Sequence, residues 1–254
     1  MAKYVSSKEL YEVEILSGRY LKKPIDGIDY ITDSLPLKIV GAGCHGKFLY
    51  WILDNDISIW NTLGLTGEWS KERKKNSRVR FLLENDEVYY NDTRNFGTIK
   101  IVKGRQALIQ KLQSLGPDLL AEECSSEKFI ERMRLRNSKT IVEALMDQKI
   151  VAGVGNYIKA DSLWLAKISP HRKVSELSDN DLSKLNDCIR KIMTTSFELG
   201  GATIYTYKNF DGSIGEYGSK FLVYNKKVDP EGNLIIKETT RDKRTTHWSP
   251  DVQN

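Results

Sequence analysis

Residues 151–161 read VAGVGNYIKAD and decide how the second half of the chain is interpreted. Gly153 and Gly155 permit a tight turn and a close backbone approach at the start of a helix. Backbone N–H groups left exposed at the beginning of a helix can bind a phosphate. A packing joint between two helices uses glycines in the same way. The stretch therefore predicts a helix–turn–helix and leaves its role open.

Helical patterns surround this turn over residues 126–200, where strand signals are almost absent. Ser178, with Asp181 three residues later, indicates a capped start for the last helix. Gly200 and Gly201 indicate its end. The predicted helices are Glu127–Leu135, Thr140–Asp147, Val154–Ala166 and Leu182–Leu199.

The first hundred residues instead show short apolar or alternating runs separated by turn residues. This pattern is typical of a β-sandwich or barrel. Helices over Ser7–Tyr20 and Gln106–Leu115 are predicted to bracket it. The predicted strands are Lys47–Leu53, Ser58–Trp60, Val79–Leu83, Val88–Tyr90 and Thr98–Val102.

The last fifty residues change character again. Phe221–Val228 and Leu234–Thr239 have strand patterns. Residues 229–233, Asp-Pro-Glu-Gly-Asn, form a strong turn signal between them. A terminal β-hairpin is therefore predicted.

Composition narrows the class of protein. Of the 254 residues, 40% are hydrophobic and 29% charged, as in ordinary folded chains. No run approaches the roughly 18 apolar residues of a membrane-spanning helix, and the N-terminus has no stretch suited to a secretory signal. Cys44, Cys124 and Cys188 are far apart and odd in number. We therefore expect an intracellular protein of a reducing compartment, cytoplasm or nucleus, with no membrane partner.

The net charge of +5 is compatible with a polyanionic partner. Residues 71–80 hold six basic side chains and one acid, and residues 132–139 hold four more with no acid among them. Each run has two interpretations: a nucleic-acid contact, or a solvated loop or helix face.

Four short segments, well separated along the chain, can be considered together with their order and spacing. They are Lys8–Glu14 (KELYEVE), Leu63–Gly67 (LGLTG), Asp92–Gly97 (DTRNFG) and Gly155–Asp161 (GNYIKAD). In this order and spacing the chain resembles the Fpg/Nei family of DNA glycosylases, which remove oxidised bases. The resemblance runs from about residue 8 to residue 253.

The resemblance implies an α+β fold in three parts. An N-terminal β-sandwich with flanking helices would occupy residues 1–117. A helix–two-turn–helix domain would follow over 118–200, and a β-hairpin finger over 201–254.

The finger suggests a branch of the family. Most members bind zinc there through four cysteines, whereas this chain has no cysteine after Cys188. It keeps the run 243–246, Lys-Arg-Thr-Thr, and Trp248, and Arg244 matches the arginine that holds the phosphate beside the lesion. The chain therefore resembles the zincless-finger, Nei-like branch, and no metal or other cofactor is expected.

Further DNA contacts follow from the resemblance. Leu65, Arg94 and Phe96 match the residues that fill the void when a damaged nucleotide is extruded from the duplex. Lys47 and Asn156 match residues that bind phosphates. The alternatives are core positions for Leu65 and Phe96, an exposed edge-strand lysine, and a helix N-cap for Asn156.

The implied chemistry is nucleophilic catalysis by an amine. The amine attacks the sugar C1′, displaces the base and leaves a Schiff base that permits strand cleavage. By position, Glu9 is the acid that protonates the sugar oxygen. Glu12 would orient the site from the next turn of a helix that starts near Lys8.

The nucleophile is where this sequence departs from the family. Family members use the α-amine of an N-terminal proline, and this chain has Lys8 in that column. Lys8 could attack if burial and the helix N-terminus depress its pKa. Alternatively, the N-terminal extension loops back and presents the α-amine of Ala2 after removal of Met1, or the lyase function is weakened or lost.

The expected function is that of a bifunctional DNA glycosylase and AP lyase in base excision repair. It would act as a monomer on DNA that contains oxidised bases or abasic sites. The alternative is a damaged-DNA-binding homologue with weakened or lost lyase activity. A helical module bound to RNA or the ribosome is a third class, and the void-filling loops and the finger argue against it.

Overall fold

A computed structural model describes residues 1–121, 124–202, 210 and 212–254. The described residues form two compact units. The first comprises residues 1–113 with 210 and 212–215, and the second comprises the described residues from 114 to 202 together with 216–254. The terminal hairpin thus shares a unit with the helices. Residues 122–123 of the predicted helical domain, and 203–209 and 211 of the predicted finger, lie outside the described residues.

The first unit is built on antiparallel strands that run through its whole length. They are β1 (Glu9–Ile15), β2 (Leu37–His45), β3 (Phe48–Leu53), β4 (Ile57–Thr62), β5 (Gly67–Ser70), β6 (Ser77–Leu83), β7 (Asp86–Asp92) and β8 (Thr98–Lys103). Within the described residues their order is β5-β7-β6-β1-β2-β3-β4-β8. The β1–β2 junction has a register of only two residue pairs, so the two halves can turn towards each other there.

Aromatic side chains fill the space between the two halves of this sandwich. The Trp51 ring on β3 lies 5.0 Å from the Trp69 ring on β5 and 5.2 Å from the Phe81 ring on β6. All three side chains are buried. The predicted β-sandwich is therefore confirmed. Short helices accompany it: α1 (Ala2–Val5), α2 (Asp29–Thr32) and α3 (Arg105–Gln113).

The helix predicted over Ser7–Tyr20 is wrong. Residues 12–15 read Glu-Val-Glu-Ile, which alternates with the period of two that a strand requires. The segment pairs with β6 as β1, and a bulge between Leu10 and Glu12 shifts the register. Because of the bulge, Leu10 is buried although its position does not fit the alternation of residues 12–15. The resulting spacing of the apolar residues resembles that of a helix.

The second unit is mainly helical, as predicted. Its helices are α4 (Ser126–Arg134), α5 (Ile141–Met146), α6 (Asn156–Ala166) and α7 (Asp179–Glu198). The Ser178 hydroxyl accepts from the Asp181 backbone N–H at 3.1 Å, which confirms the predicted cap of α7. No helix in the described ranges has both the length and the apolar character needed to cross a membrane.

The terminal hairpin keeps one of the two predicted strands and pairs it with a strand that was not predicted. It is formed by β9 (Ile236–Thr239) and β10 (Thr245–Trp248), which pair antiparallel, and β9 lies within the predicted Leu234–Thr239. The strand predicted at Phe221–Val228 is wrong, because the N–H groups of residues 222–224 donate to the carboxylate of Asp161 instead of a neighbouring strand.

Candidate nucleic-acid interface

Lys8 lies directly before β1, and its ammonium takes part in an ion pair. Its Nζ is 2.8 Å from a carboxylate oxygen of Asp86 and 3.8 Å from the centre of the Tyr4 ring. An ammonium that donates to a carboxylate has no lone pair with which to attack a sugar carbon. The predicted helix N-terminus at Lys8 is wrong, because a strand follows this residue.

Asp86 joins the N-terminal segment to β7. The Tyr4 hydroxyl donates to the same carboxylate oxygen as Lys8. The hydrogen bond from Lys8, followed by that from Tyr4, lowers the pKa of Asp86. Burial, together with the bond to Asp86, raises the pKa of Tyr4 to about 12. Because Val5 is fully buried beside these residues, α1 is anchored to the sandwich by both polar and apolar contacts.

The two candidate carboxylates of β1 have separate partners. Glu9 accepts a 2.7 Å hydrogen bond from the hydroxyl of Tyr11, two residues along the strand. Glu12 forms a 2.8 Å ion pair with Arg80 on β6. The prediction that Glu12 orients the site from the next helical turn is wrong, since no helix is present over these residues.

Two further candidates of the first unit lie at the start of a helix and in a hairpin turn. Ala2 begins α1, and its carbonyl accepts from the Ser6 backbone at 3.1 Å and from the Ser6 hydroxyl at 2.9 Å. Lys47 is exposed in the hairpin turn between β2 and β3, one residue before the strand in which it was predicted. Gly46 beside it has a φ of 56°, which permits this tight turn.

Asp92 shapes the loop predicted to enter the DNA duplex. It is 1% exposed. One carboxylate oxygen accepts from the Thr66 hydroxyl at 2.5 Å and from the Arg94 N–H at 3.1 Å. The other accepts from the Gly97 N–H at 2.8 Å. A buried carboxylate thus joins the 63–67 loop to the 92–97 loop.

Glycines let these two loops lie against each other. A Cβ on Gly64 would be 3.2 Å from the Gly97 backbone nitrogen. One on Gly97 would overlap the Tyr90 hydroxyl, and Gly64 also has a φ of 64°. The close approach therefore explains the two glycines without any reference to a ligand.

The joined loops expose their largest side chains. Leu65 is 66% exposed and Phe96 is 61% exposed. The Arg94 guanidinium lies 4.6 Å from the centre of the Phe96 ring, a cation–π contact. The core interpretation of Leu65 and Phe96 is therefore wrong. We name Leu65, Arg94 and Phe96 the wedge.

The first residues of α6 offer backbone donors. Gly155 is the N-cap residue, and α6 has no side-chain cap among the described residues, whereas α4 and α7 are capped by Ser125 and Ser178. Asn156 donates from Nδ2 to the Thr245 carbonyl at 2.7 Å. Its buried Oδ1 has no partner in the described part of the chain. Because a phosphate only accepts hydrogen bonds, the backbone N–H groups suit it better than this side chain.

Arg244 is exposed in the turn between β9 and β10. Its N–H donates to an Asp242 carboxylate oxygen at 3.4 Å, and its carbonyl accepts from the Thr240 N–H at 3.1 Å. Lys243 has a φ of 60°, which the tight turn imposes. The backbone of Arg244 is therefore fixed while its guanidinium faces solvent.

The basic run at 132–139 makes structural contacts. Arg134 donates to the Val174 and Leu177 carbonyls, at 2.8 and 2.9 Å. Arg136 donates two hydrogen bonds to Asp147. The run over 71–80 is paired in part, for example Lys74 with Glu68 at 2.6 Å. At Arg134 and Arg136 the helix run therefore makes contacts inside the protein rather than forming a solvated face.

Sequence reasoning missed the buried polar residues that hold these surfaces together. Lys159 and Asp161 lie on α6 among residues that are buried on every face of the helix. A charged residue within such a run was the available signal, because burying an unpaired charge is costly. Asp86 and Asp242 carried no comparable sequence signal.

The terminal hairpin does not offer a zinc site. Structural zinc requires four nitrogen or sulfur ligands, and the chain after Cys188 contains no cysteine and one histidine, His247. Across the described ranges, no group of three or more His, Cys, Asp or Glu side chains could hold a metal ion. These donors do not fit the metal of the family's fingers.

Fold and surfaces together define a class: a β-sandwich unit with an exposed wedge, and a helical unit with a hairpin. Family models match along nearly all of the chain. The formamidopyrimidine-DNA glycosylase N-terminal domain matches residues 1–99, the H2TH domain residues 115–208 and the C-terminal domain residues 214–254.

Individual relatives agree with these matches. The formamidopyrimidine-DNA glycosylase of Listeria monocytogenes serotype 4b is 32% identical, over 85% of this chain and 82% of the relative. That of Shouchella clausii is 30% identical, over 98% and 93%. The chain belongs to the formamidopyrimidine-DNA glycosylase family.

Solved structures are similar over the whole fold. The MutM (Fpg) protein of Thermus thermophilus has a TM-score of 0.86 at 25% identity, covering 99% of this chain and 93% of the other. A Lactococcus lactis Fpg variant bound to DNA that contains Fapy-dG has a TM-score of 0.87 at 26% identity, covering 100% and 95%. The proteins in both solved structures are named Fpg, and this similarity does not distinguish a Nei-like branch.

Proposed function

We propose that this protein is a DNA glycosylase that excises oxidised bases from duplex DNA in base excision repair. The wedge is the observation that carries the proposal. Two large apolar side chains and a guanidinium are exposed on loops that a buried carboxylate holds in place. An apolar wedge separates stacked bases, and an arginine can pair with the base that loses its partner.

The second unit supports the proposal with phosphate-binding groups. The uncapped start of α6 presents backbone N–H groups, and the Arg244 turn presents a guanidinium. Both groups could bind DNA phosphates, and contacts of this kind position a protein on a duplex whatever the DNA sequence. Lys47 provides a further cation at the tip of its hairpin. The hairpin is proposed to function without zinc, as in the zincless-finger branch.

An excision assay tests the proposal. The substrate is a duplex with one formamidopyrimidine base, and the measurement is release of the free base. We expect release by the wild type and a fall of at least about tenfold when Leu65→Ala and Phe96→Ala are combined, because the void is left unfilled. Leu21→Ala is the matched control, since Leu21 is 67% exposed in the same unit. Absence of base release by the wild type would contradict the proposal.

A second candidate function lacks the lyase step. The Lys8–Asp86 ion pair favours a protein that binds lesions, or hydrolyses the glycosidic bond, without forming a Schiff base through Lys8. Under the bifunctional proposal, the attacking amine is the side-chain amine of Lys8 or the α-amine of Ala2 after removal of Met1, and Glu9 is the acid. Only a free amine can attack, so release of Lys8 from Asp86 would have to precede its reaction.

Borohydride trapping on abasic-site DNA separates these outcomes. If Lys8 is the nucleophile, Lys8→Ala abolishes the covalent adduct and Asp86→Asn increases it. If Ala2 is the nucleophile, acetylation of the N-terminus abolishes the adduct and Lys8→Ala does not. A wild type that releases base and never traps is a hydrolytic glycosylase, and one that does neither is a lesion-binding protein.

A further inference from the structure

Helix α6 contacts the terminal segment through a row of polar side chains. Asp161 accepts from the backbone N–H groups of residues 222–224 at 3.0–3.1 Å. Trp164 donates to Asp229 at 3.1 Å. Asn156 donates to the Thr245 carbonyl at 2.7 Å. The helix therefore holds the terminal segment at several separate points.

A further contact between α6 and this segment is a buried ion pair. The side chain of Lys159 is 0% exposed and that of Asp242 is 2% exposed, and their charged atoms are 2.5 Å apart. Lys159 also donates to the Thr246 hydroxyl at 2.9 Å. Burial lowers the pKa of Lys159, and its hydrogen bond to Asp242 opposes that shift.

A pair buried this deeply needs an explanation other than stability. Removing two charges from water is costly, and apolar residues of similar size often replace such pairs without loss. A buried ion pair does, however, define one geometry, because any other arrangement leaves a charge uncompensated. Its role therefore depends on which backbone the pair fixes.

Asp242 fixes the turn that carries Arg244. One of its oxygens binds Lys159, and the other accepts from the Thr240 hydroxyl at 2.5 Å and from the Arg244 N–H at 3.4 Å. The Thr240 hydroxyl also lies 2.6 Å from that of Thr246. A single connected network therefore runs from the interior of α6 to the backbone of Arg244.

We propose that Lys159 is a positioning residue which, through Asp242, holds Arg244 in the conformation that binds a DNA phosphate. The proposal rests on the proposed function, since it takes Arg244 to be a DNA contact. It assigns to a lysine inside α6 the task of fixing the tip of the hairpin. Lys159 itself touches no DNA in this arrangement.

A double-mutant cycle tests the proposal. The probe is a duplex with one tetrahydrofuran abasic-site analogue, and its affinity is measured at several salt concentrations. In the wild type, Arg244→Ala should weaken binding roughly tenfold, as expected for a charge-assisted hydrogen bond, and lower the salt slope by about 0.9. In Lys159→Met, whose side chain has similar length and no charge, the same change should have less than about a threefold effect. Lys159→Arg should restore the wild-type response.

Trp164→Phe is the control for loss of stability. It removes the hydrogen bond to Asp229 and leaves the Lys159–Asp242 pair in place. We expect a lower melting temperature and an undiminished effect of Arg244→Ala. If Lys159→Met does not fold, Lys159→Met combined with Asp242→Asn removes both charges and leaves neither uncompensated.

The outcomes are distinguishable. If Arg244→Ala has the same effect with and without Lys159, the positioning role is overturned while the DNA contact stands. If Arg244→Ala has no effect in the wild type, the proposed contact of Arg244 is wrong and the positioning role falls with it. Equal loss of coupling in Trp164→Phe would also overturn the proposal, because general loosening would then explain it.

Discussion

Single carboxylates, one buried at Asp92 and one half-buried at Asp86, determine how the exposed residues of this protein are presented. Asp92 is almost inaccessible, yet it defines the positions of Arg94 and Gly97 and the joining of two loops. Asp86 does the same for the N-terminal segment through Lys8 and Tyr4. Neither residue is a candidate for the chemistry itself, and each determines where a candidate functional side chain lies.

Asp92→Asn tests the first of these. An amide replaces one accepting oxygen with a donor, which would face a backbone N–H or the Thr66 hydroxyl. We expect a loss of about 1–3 kcal/mol in the free energy of unfolding in urea. Binding to abasic-site DNA should fall to the level of the wedge variants. Asp118→Asn, at a buried aspartate of the second unit, should reduce stability and leave DNA binding unchanged; equal effects on binding would contradict the assignment.

Asp86→Asn tests whether Asp86 anchors the N-terminal segment, and the measurement is the pH dependence of stability. The pKa of Asp86 is lowered in the folded protein, chiefly by the hydrogen bond from Lys8. Its stabilising contribution is therefore present above its unfolded pKa of about 3.9 and is lost as pH falls through the lower, folded value. We expect the wild type to melt at a higher temperature than Asp86→Asn at about pH 7, with the difference shrinking below about pH 4. Asp33→Asn, at an exposed position, is the control, and a difference that persists at about pH 2 would refute the linkage.

At the scale of elements, the decisive feature is that α6 is buried on all sides. Lys159, Asp161 and Ser162 are inaccessible on a helix whose first turn lacks a side-chain cap among the described residues. A helix with this composition can support a neighbouring irregular segment and also leave its N-terminal N–H groups available. Its sequence, GNYIKAD, predicted the helix and the turn before it, although not the polar contacts.

Asn156→Ala separates the two tasks of this element. The change removes the hydrogen bond to Thr245 and retains the backbone N–H groups. We expect about 1 kcal/mol less stability, weaker binding to abasic-site DNA, and a smaller change in salt slope than Arg244→Ala produces, because no charge is lost. Asn137→Ala, at an exposed asparagine of the same unit, is the matched control. A salt slope that falls as far as in Arg244→Ala would indicate a direct phosphate contact.

At the scale of the whole molecule, the described terminal segment is stabilised by contacts with the helical unit. Besides the polar contacts of α6, a small apolar cluster of Ala160, Trp164 and Val223 packs there. Packing on α6 therefore supplements the pairing of the two strands. A hairpin of two four-residue strands is marginal by itself.

The corresponding prediction concerns zinc. We expect elemental analysis to find no stoichiometric zinc, and the melting temperature to be unchanged by a strong chelator, because the segment lacks four suitable ligands. Trp164→Phe should lower that temperature, which shows that the measurement responds to the terminal segment. One equivalent of zinc that survives chelation would overturn the prediction.

The sequence by itself determined the classes of element and the order of the motifs. Short apolar or alternating runs predicted five of the sandwich strands, and helical periods with the Ser178 cap predicted the helical unit. Both signals are local, since they depend on neighbours along the chain. The turns at the wedge loops and before α6 could likewise be predicted from their glycines, because such backbone conformations favour glycine over other residues.

Only the tertiary structure decided the rest. β1 is a strand because it pairs antiparallel with β6 through backbone hydrogen bonds. The bulge between Leu10 and Glu12 interrupts the alternation of its side chains, so the alternation is difficult to recognise in the sequence. Residues 222–224 are not a strand because Asp161, far away in sequence, takes their N–H groups. Lys8 is an ion-pair partner because Asp86 lies beside it in space. In each case the free energy comes from a partner distant along the chain, and local patterns carry no record of that partner.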